Sequence, residues 1–250
     1  MQDQSYLGSG QFLLREYGAA APFVEVGNCS ALTLSPQTEK KTLADHTAPG
    51  GGVRNEVERL TGVEMAYTFH DFAPENFVRA LRGTTAAVAA GTVADEEVVA
   101  YKGGYTPLSR IASGITAVKI ASGATTYAEG TDYVFQNGGI FIPATSTIAN
   151  PVAGAANIKV SYTNLAQTKV QALVNPAKQY EGLFLGLNEA QSGKAVRITV
   201  HKLSGGLLQQ LGLIGDDYGQ GEVTGSLMSD TSKGAGLSKY FTVEQEAVAA

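Results

Sequence analysis

The feature that most constrains this chain is an interruption. A β-rich, glycine-rich unit is broken by a segment that has its own strands and turns. That segment contains Asn137-Gly138, a pair that favours a tight two-residue turn between antiparallel strands. The pattern predicts a mainly β chain, with a scaffold in residues 1–84 and 165–250 and a small all-β domain of sandwich type in residues 85–164.

The composition favours a protein that meets other protein over much of its surface. Charged residues make up 16% of the 250 residues, against a usual share of about 25%, and there are 30 glycines. Low charge with abundant glycine is typical of many short strands and turns. The net charge of −5 disfavours a nucleic-acid-binding role that depends on counterion release.

Cysteine content and hydropathy exclude several classes of protein. The single cysteine, Cys29, excludes an intrachain disulfide and a four-cysteine zinc site, and it fits assembly in a reducing compartment. The first ten residues lack the charged start and apolar core of a secretion signal. The apolar run at 86–94 is too short to span a bilayer, so no membrane partner is expected.

Two elements of the scaffold stand out in the sequence. Residues 63–70 alternate cleanly between apolar and polar side chains, which predicts a strand with one buried face. Residues 53–60 are predicted to form a neighbouring strand, separated from it by a bend at Thr61-Gly62. Residues 74–82 predict the one short helix, because Pro74 suits the first helical position and Gly83 suits the end.

No constellation of residues predicts catalysis, a metal site or a cofactor, so we expect a protein that is not an enzyme. The three histidines lack metal-ligand spacing. Adjacent residues of a strand point to opposite faces, so His70 and Asp71 are interpreted as a polar-face residue and the start of a turn. Asp216, Asp217 and Asp230 lack the spacing of a calcium loop and are interpreted as solvated carboxylates.

The order of elements resembles that of bacteriophage major tail tube proteins of the long non-contractile type. The resemblance rests on an extended hairpin ending in a glycine-rich loop (residues 39–54), the strand at 63–70, the helix at 74–82 and the later strands. The segment at 127–133, with Gly138-Gly-Ile and Ile158-Lys-Val-Ser-Tyr-Thr163, resembles the β modules inserted in phage virion proteins.

The resemblance implies a tail-tube-type β-sandwich or barrel with one short α-helix and an inserted immunoglobulin-like domain that projects outward. It implies hexameric rings that stack into a tube in the phage tail, after assembly in the host cytoplasm. DNA would pass through the lumen without specific binding, and no cofactor would be needed. The other partners would be the tape measure, tail tip and tail terminator proteins.

The resemblance also suggests roles for particular residues. The apolar face of the strand at 63–70 would pack inside the subunit against the helix. Acidic residues of the lumen would repel phosphates, and the candidates are Glu56, Glu58 and Glu64. Glu56 and Glu58 share a face of their strand, and Glu64 is expected to lie beside them after the bend at Thr61-Gly62. A solvated surface strand explains Glu56 and Glu58 equally well. The loop that bridges successive rings would contain Asp45, His46, Gly50, Gly51 and Gly52.

Other functions fit parts of the sequence. A head decoration or tail terminator protein would bind one ring or a lattice without polymerising. A carbohydrate-binding or adhesin module would favour exposed aromatic side chains, often tryptophan, and the chain has no tryptophan. An enzyme would need a paired acid and base or a metal cluster, neither of which the sequence offers.

Overall fold

A computed structural model describes residues 3–47 and 49–247 and confirms the mainly β prediction. Strands account for 54% of the chain and helix for 4%. The chain divides into two compact units, a scaffold formed by the residues up to Thr84 and those from Val170 onward, and an insertion formed by Thr85–Lys169. The insertion extends past the predicted end at 164 because Gln167 Oε1 accepts a hydrogen bond from Ile111 N at 3.1 Å.

The bounds of the elements follow the chain. The first half of the scaffold contains β1 (Gly8–Glu16), β2 (Val24–Glu25), β3 (Cys29–Ala44), β4 (Val53–Phe69) and helix α1 (Pro74–Ala80). Next come β5 (Thr84–Val88), β6 (Gly91–Val98), β7 (Gly104–Thr106), β8 (Ala112–Ile120), β9 (Thr126–Tyr127), β10 (Val134–Gln136), β11 (Gly139–Ile142), β12 (Ile158–Asn164) and β13 (Gln167–Gln171). The second half of the scaffold contains β14 (Gln179–Asn188), a 3₁₀ turn (Glu189–Gln191), β15 (Lys194–Ser204), β16 (Leu207–Gly212), β17 (Gln220–Leu227) and β18 (Phe241–Gln245).

The scaffold is built from two antiparallel layers that share one strand. The first layer has the order β2-β1-β14-β15-β18, and the second has the order β3-β4-β17-β16. Strand β15 belongs to the first layer over most of its length and then reaches the second layer, where Leu203 pairs with Leu227 of β17. This connection makes the two layers one continuous nine-stranded sheet.

The core lies between the two layers, and it confirms the alternation predicted for residues 63–70. Val63, Met65, Tyr67 and Phe69 are buried, while Glu64 is exposed. The Tyr67 ring lies 5.2 Å from the ring of Phe12, which belongs to the first layer. The predicted packing of this face against the helix is also confirmed, because Phe77 of α1 meets Phe69 edge-on at 6.5 Å between ring centroids.

Helix α1 is shorter than predicted. It starts at Pro74 as expected but ends at Ala80, because Arg82 adopts a left-handed conformation with a φ of 49°. Gly83 takes part in the end of the helix as predicted, because its N–H donates to Val78 O at 2.9 Å just after the left-handed Arg82. A Cβ atom on Gly83 would lie 2.5 Å from the backbone oxygen of Gln171, so glycine permits the chain to pass close to the strand that returns from the insertion.

Residues 53–69 form one continuous strand, and the prediction of two strands separated by a bend is wrong. The partner of β4 along its whole length is β3. At Thr61-Gly62 the ladder contains a β-bulge, because Gln37 pairs with Gly62 while the next residue, Thr38, pairs with Leu60. Thr61 is the additional residue, and a bulge accommodates it without ending the strand.

The insertion has its own two sheets and its own core. One sheet has the order β10-β11-β7 and the other β6-β12-β8-β9. Their shared core includes Ile140, Ile158 and Tyr162, all fully buried. Asn137 and Gly138 both have positive φ angles and join β10 to β11, which confirms the predicted tight turn.

We expect the scaffold to fold without the insertion. The scaffold's core contains no residue from the insertion, and Gly83 approaches Gln171 closely, so a short Gly-Ser linker can join Thr84 to Val170. The shortened chain should unfold cooperatively on heating, with the aromatic near-ultraviolet circular dichroism of a packed core. A non-cooperative transition without that signal would show that the two units need each other to fold.

Candidate assembly surfaces

The outer face of β3, β4 and β17 carries short polar side chains and two carboxylates, and Leu207 and Gln210 of β16 border it. Three rows of directly paired residues cross β3, β4 and β17 on this face, and we call their nine residues the acidic face. The rows are Ala31–Thr68–Glu222, Thr33–Ala66–Thr224 and Ser35–Glu64–Ser226. These residues alternate with the buried ones of the same strands, so the core fixes their outward direction.

The charge of the acidic face has one sign. Glu64 and Glu222 are its only ionisable residues, and none of the nine is lysine or arginine. The other side chains are alanine, serine and threonine, which give a shallow surface without aromatic or long aliphatic groups. Such a surface repels a polyanion and offers it neither cations nor stacking partners.

Beyond the core, β3 and β4 continue as a projecting hairpin, which we call the arm (residues 38–60). Every residue that the structure describes in the arm is exposed or half-buried. The exposed side chains include four large aliphatic ones, namely Leu43, Val53, Val57 and Leu60. At about 3.3 Å per residue, seven residues of each strand carry the arm about 23 Å beyond the core. An exposed ribbon with this apolar content is typical of a segment that docks on another protein surface.

The bulge separates the three carboxylates that the sequence grouped together. Glu56 pairs with Thr42 and Glu58 with Lys40, so both lie on the arm face that continues the buried side of the layer. Glu64 lies on the opposite face, with Ser35. The prediction that Glu64 lies beside Glu56 and Glu58 is therefore wrong, because the additional residue Thr61 shifts the alternation of β4 by one position.

Glu56 also has a cation beside it. Its Oε1 atom lies 3.0 Å from Nζ of Lys40. This exposed pair contributes little to stability, and it neutralises Glu56, one of the two arm carboxylates that were predicted to line a channel. Glu56 and Glu58 are thus placed on the arm, and the acidic face contains Glu64 and Glu222.

The loop at the end of the arm is shorter than the predicted 39–54, because the β-ladder extends from Ala44 to Val53. The loop spans 45–52, and residue 48 lies outside the described residues. Asp45 closes it, since its backbone N–H donates to Gly52 O at 2.7 Å and its carboxylate accepts from Thr47 N at 2.8 Å. The three glycines 50–52 have positive φ angles, which glycine adopts without steric cost, and His46 completes the predicted set.

The second layer also offers free edges. In the part of the chain that the structure describes, β3 pairs only with β4, and β16 pairs only with β17. The outer edge of β3 therefore presents unpaired backbone groups over 16 residues. A long edge strand with free N–H and C=O groups is a template for pairing with a strand of another chain.

The residues considered above for catalysis or metal binding each have a separate structural role. His70 Nδ1 is 3.2 Å from Gly219 O, and Asp71 accepts the N–H of Asn28 at 2.8 Å. Burial raises the pKa of the Cys29 thiol to about 11. Among the described residues there is no group of three His, Cys, Asp or Glu side chains placed to hold a metal ion. In the same residues, no helix is long and apolar enough to cross a membrane.

The predicted trio of solvated carboxylates is only partly right. Asp216 and Asp217 are exposed, but Asp230 is buried and makes local hydrogen bonds. Its Oδ1 accepts from Ser232 Oγ at 2.7 Å and from the Tyr17 hydroxyl at 3.1 Å. The hydrogen bond from Ser232 is the main cause that lowers the pKa of Asp230. The hydrogen bond that the Tyr17 hydroxyl donates to Asp230 raises the pKa of Tyr17.

A comparison with protein families matches residues 5–244 to a family described as "Protein of unknown function UCP028589". The chain belongs to this family. The match covers both the scaffold and the insertion. No curated protein matches the sequence significantly.

One residue of the acidic face in this family member escaped the sequence analysis. Glu222 lies in β17, where the polar residues Glu222, Thr224 and Ser226 alternate with Val223 and Leu227. That alternation could have been read as a strand with one polar face. The sequence could not reveal that β17 pairs with the strand at 63–69, because 150 residues and the whole insertion separate the two strands.

Proposed function

We propose that this chain is the structural subunit of a phage tail tube, and that the acidic face lines the channel of that tube. The observation that carries the proposal is the acidic face itself, a broad sheet surface with two carboxylates, no cation and only short side chains. A channel for a nucleic acid needs such a surface, because lysine and arginine side chains would bind the phosphates and hold the nucleic acid in place.

The free edges of the second layer supply a way to close the channel. Pairing the edge of β3 in one subunit with the edge of β16 in the next would continue the same sheet around a ring. Each subunit contributes four strands to this layer. For a ring of six subunits, about 24 strands at about 4.8 Å each and a tilt of about 40° give a barrel about 48 Å across between backbones.

The arm supplies a contact beyond the ring. Its exposed aliphatic side chains have no partner within the described subunit, and the arm extends well past the core. In the proposed tube the arm, with the loop of Asp45, His46 and Gly50–Gly52, bridges to a subunit of the neighbouring ring. The insertion projects outward, since its bulk would block the channel.

Electron microscopy of the purified full chain over a range of concentrations tests this function. The expected result is rings or hollow tubes of uniform width that become more abundant as concentration rises. Single subunits at every concentration would contradict self-assembly. Flat lattices or isolated rings that never stack would instead favour a head decoration or tail terminator protein.

A further inference from the structure

The loop between β16 and β17 combines large apolar side chains with acidic ones. We call residues 213–219 the acidic loop. Ile214 and Tyr218 are 101% and 93% exposed, and Leu213 is exposed beside them. Asp216 and Asp217 lie between these apolar residues, and no lysine or arginine occurs anywhere from 203 to 232. A protruding loop of this kind is costly in water, because its large apolar side chains remain hydrated.

A second surface combines exposed apolar side chains with basic ones that are exposed or half-buried. We call it the basic patch, and it consists of Arg79, Arg82, Leu173, Val174 and Lys178. The backbone holds these residues together, since Leu173 N donates to Leu81 O at 2.7 Å and Asn175 N donates to Arg82 O at 2.9 Å. Leu173 and Val174 are both more than half exposed.

Two of the three cations of the basic patch have no carboxylate partner among the described residues. In the part of the chain that the structure describes, no carboxylate forms an ion pair with Arg79 or Arg82, and Lys178 pairs only with Glu16, at 2.9 Å. The Nε atom of Arg82 is buried without a hydrogen-bond partner in those residues. The patch therefore has an excess of positive charge where the acidic loop has only negative charge.

The two surfaces lie at opposite ends of β16. At its start, Gly205 accepts a hydrogen bond from Arg82 Nη2 at 3.3 Å and donates to Lys178 O at 2.6 Å. At its end, Gly212 leads directly into the acidic loop. The six residues of β16 span about 20 Å, so the loop of a subunit cannot reach the patch of the same subunit.

We propose that the acidic loop of one copy docks on the basic patch of the next copy. The complementary charges of the two surfaces select the partner, and the apolar side chains of both become buried. Because the surfaces differ and face opposite ends of a strand, the contact is head-to-tail and repeats from copy to copy, as a filament requires. This inference rests on the proposed self-assembly and names a contact that drives it.

Two variants, one for each surface, test the contact in the full chain. Asp216→Lys with Asp217→Lys reverses the charge of the loop, and Leu173→Asp with Val174→Asp places acid in the patch. All four residues are exposed, so we expect the melting temperature to change little. Each variant alone should need at least about a tenfold higher concentration to form assemblies, measured by sedimentation velocity. Val152→Asp, at an exposed apolar position of the insertion, is the matched control and should assemble normally.

Mixing the two variants distinguishes a head-to-tail contact from other interfaces. The loop variant retains an intact patch and the patch variant retains an intact loop, so an equimolar mixture should form a one-to-one pair through a single contact. Normal assembly of both variants alongside the wild type would overturn the contact and leave the proposed function standing. A mixture that contains no pair would also overturn it. Failure of the wild type to assemble would count against both proposals.

Discussion

Removal of the arm is expected to abolish tube formation while leaving the subunit folded. Glu39 and Arg59 pair directly across β3 and β4, so an Asn-Gly turn can replace residues 40–58 between them. The described residues of the arm contribute nothing to the buried core, and the melting temperature should therefore change by only a few degrees. Sedimentation velocity and electron microscopy should find single subunits at concentrations at which the wild type forms tubes.

A milder change tests whether the apolar side chains of the arm, and not only its shape, contribute to assembly. Leu43 and Val57 lie on the same face of the arm, and replacing both with serine keeps the hairpin. Each buried aliphatic side chain contributes about 1.5–3 kcal/mol, so the loss of two should raise the concentration needed for assembly by at least about 100-fold. Val152→Ser in the insertion is the matched control. Tubes formed by the armless chain at the wild-type concentration would refute the bridging role.

If the acidic face lines the proposed channel, reversing its charge is expected to turn a channel that repels DNA into one that binds it. Glu64→Lys with Glu222→Lys changes exposed or half-buried outward side chains, so the subunit should fold and assemble as before. Every subunit of the tube then presents two cations to the channel. We expect these tubes to retain double-stranded DNA at 50 mM salt, with retention falling by at least about tenfold at 200 mM.

The position of the lysines can be tested as well as their charge. Glu189→Lys adds a cation at an exposed residue of the scaffold outside the acidic face and should produce less retention of DNA. Glu64→Gln with Glu222→Gln removes the negative charge without adding positive charge, and should leave the tubes unable to bind DNA. Equal retention by the Glu189 variant and the double lysine variant would show that DNA retention does not depend on the acidic face.

Local patterns predicted most of the individual elements. The alternation at 63–69, the proline start of α1 and the Asn137-Gly138 turn each depend on residues that are neighbours in the chain. The division into scaffold and insertion followed from where such patterns change. These are properties that a few consecutive residues determine.

Features that depend on register escaped prediction. One additional residue at Thr61 moves Glu64 to the face opposite Glu56 and Glu58, and no local pattern reveals whether a Thr-Gly pair bends, bulges or ends a strand. Burial in β14 also departs from what its sequence pattern suggests. Leu185 and Leu187 form an apolar row, yet they are exposed, and the layer instead buries Gly182 and Gly186, which lie close to the side chains of Phe12 and Phe184.

The placement of the insertion determines the order in which the chain can fold during synthesis on the ribosome. Strand β1 pairs with β14, and β4 pairs with β17. Neither pair can form until the ribosome has passed the insertion, because β14 and β17 follow it in the chain. At about 5–20 residues per second, translating the 85 residues from Thr85 to Lys169 takes on the order of ten seconds. The insertion can complete its own sheets during this interval, while the acidic face and the free edge of β16 do not yet exist. A nascent chain therefore lacks the complete sheet of the proposed ring contact until its synthesis is nearly finished.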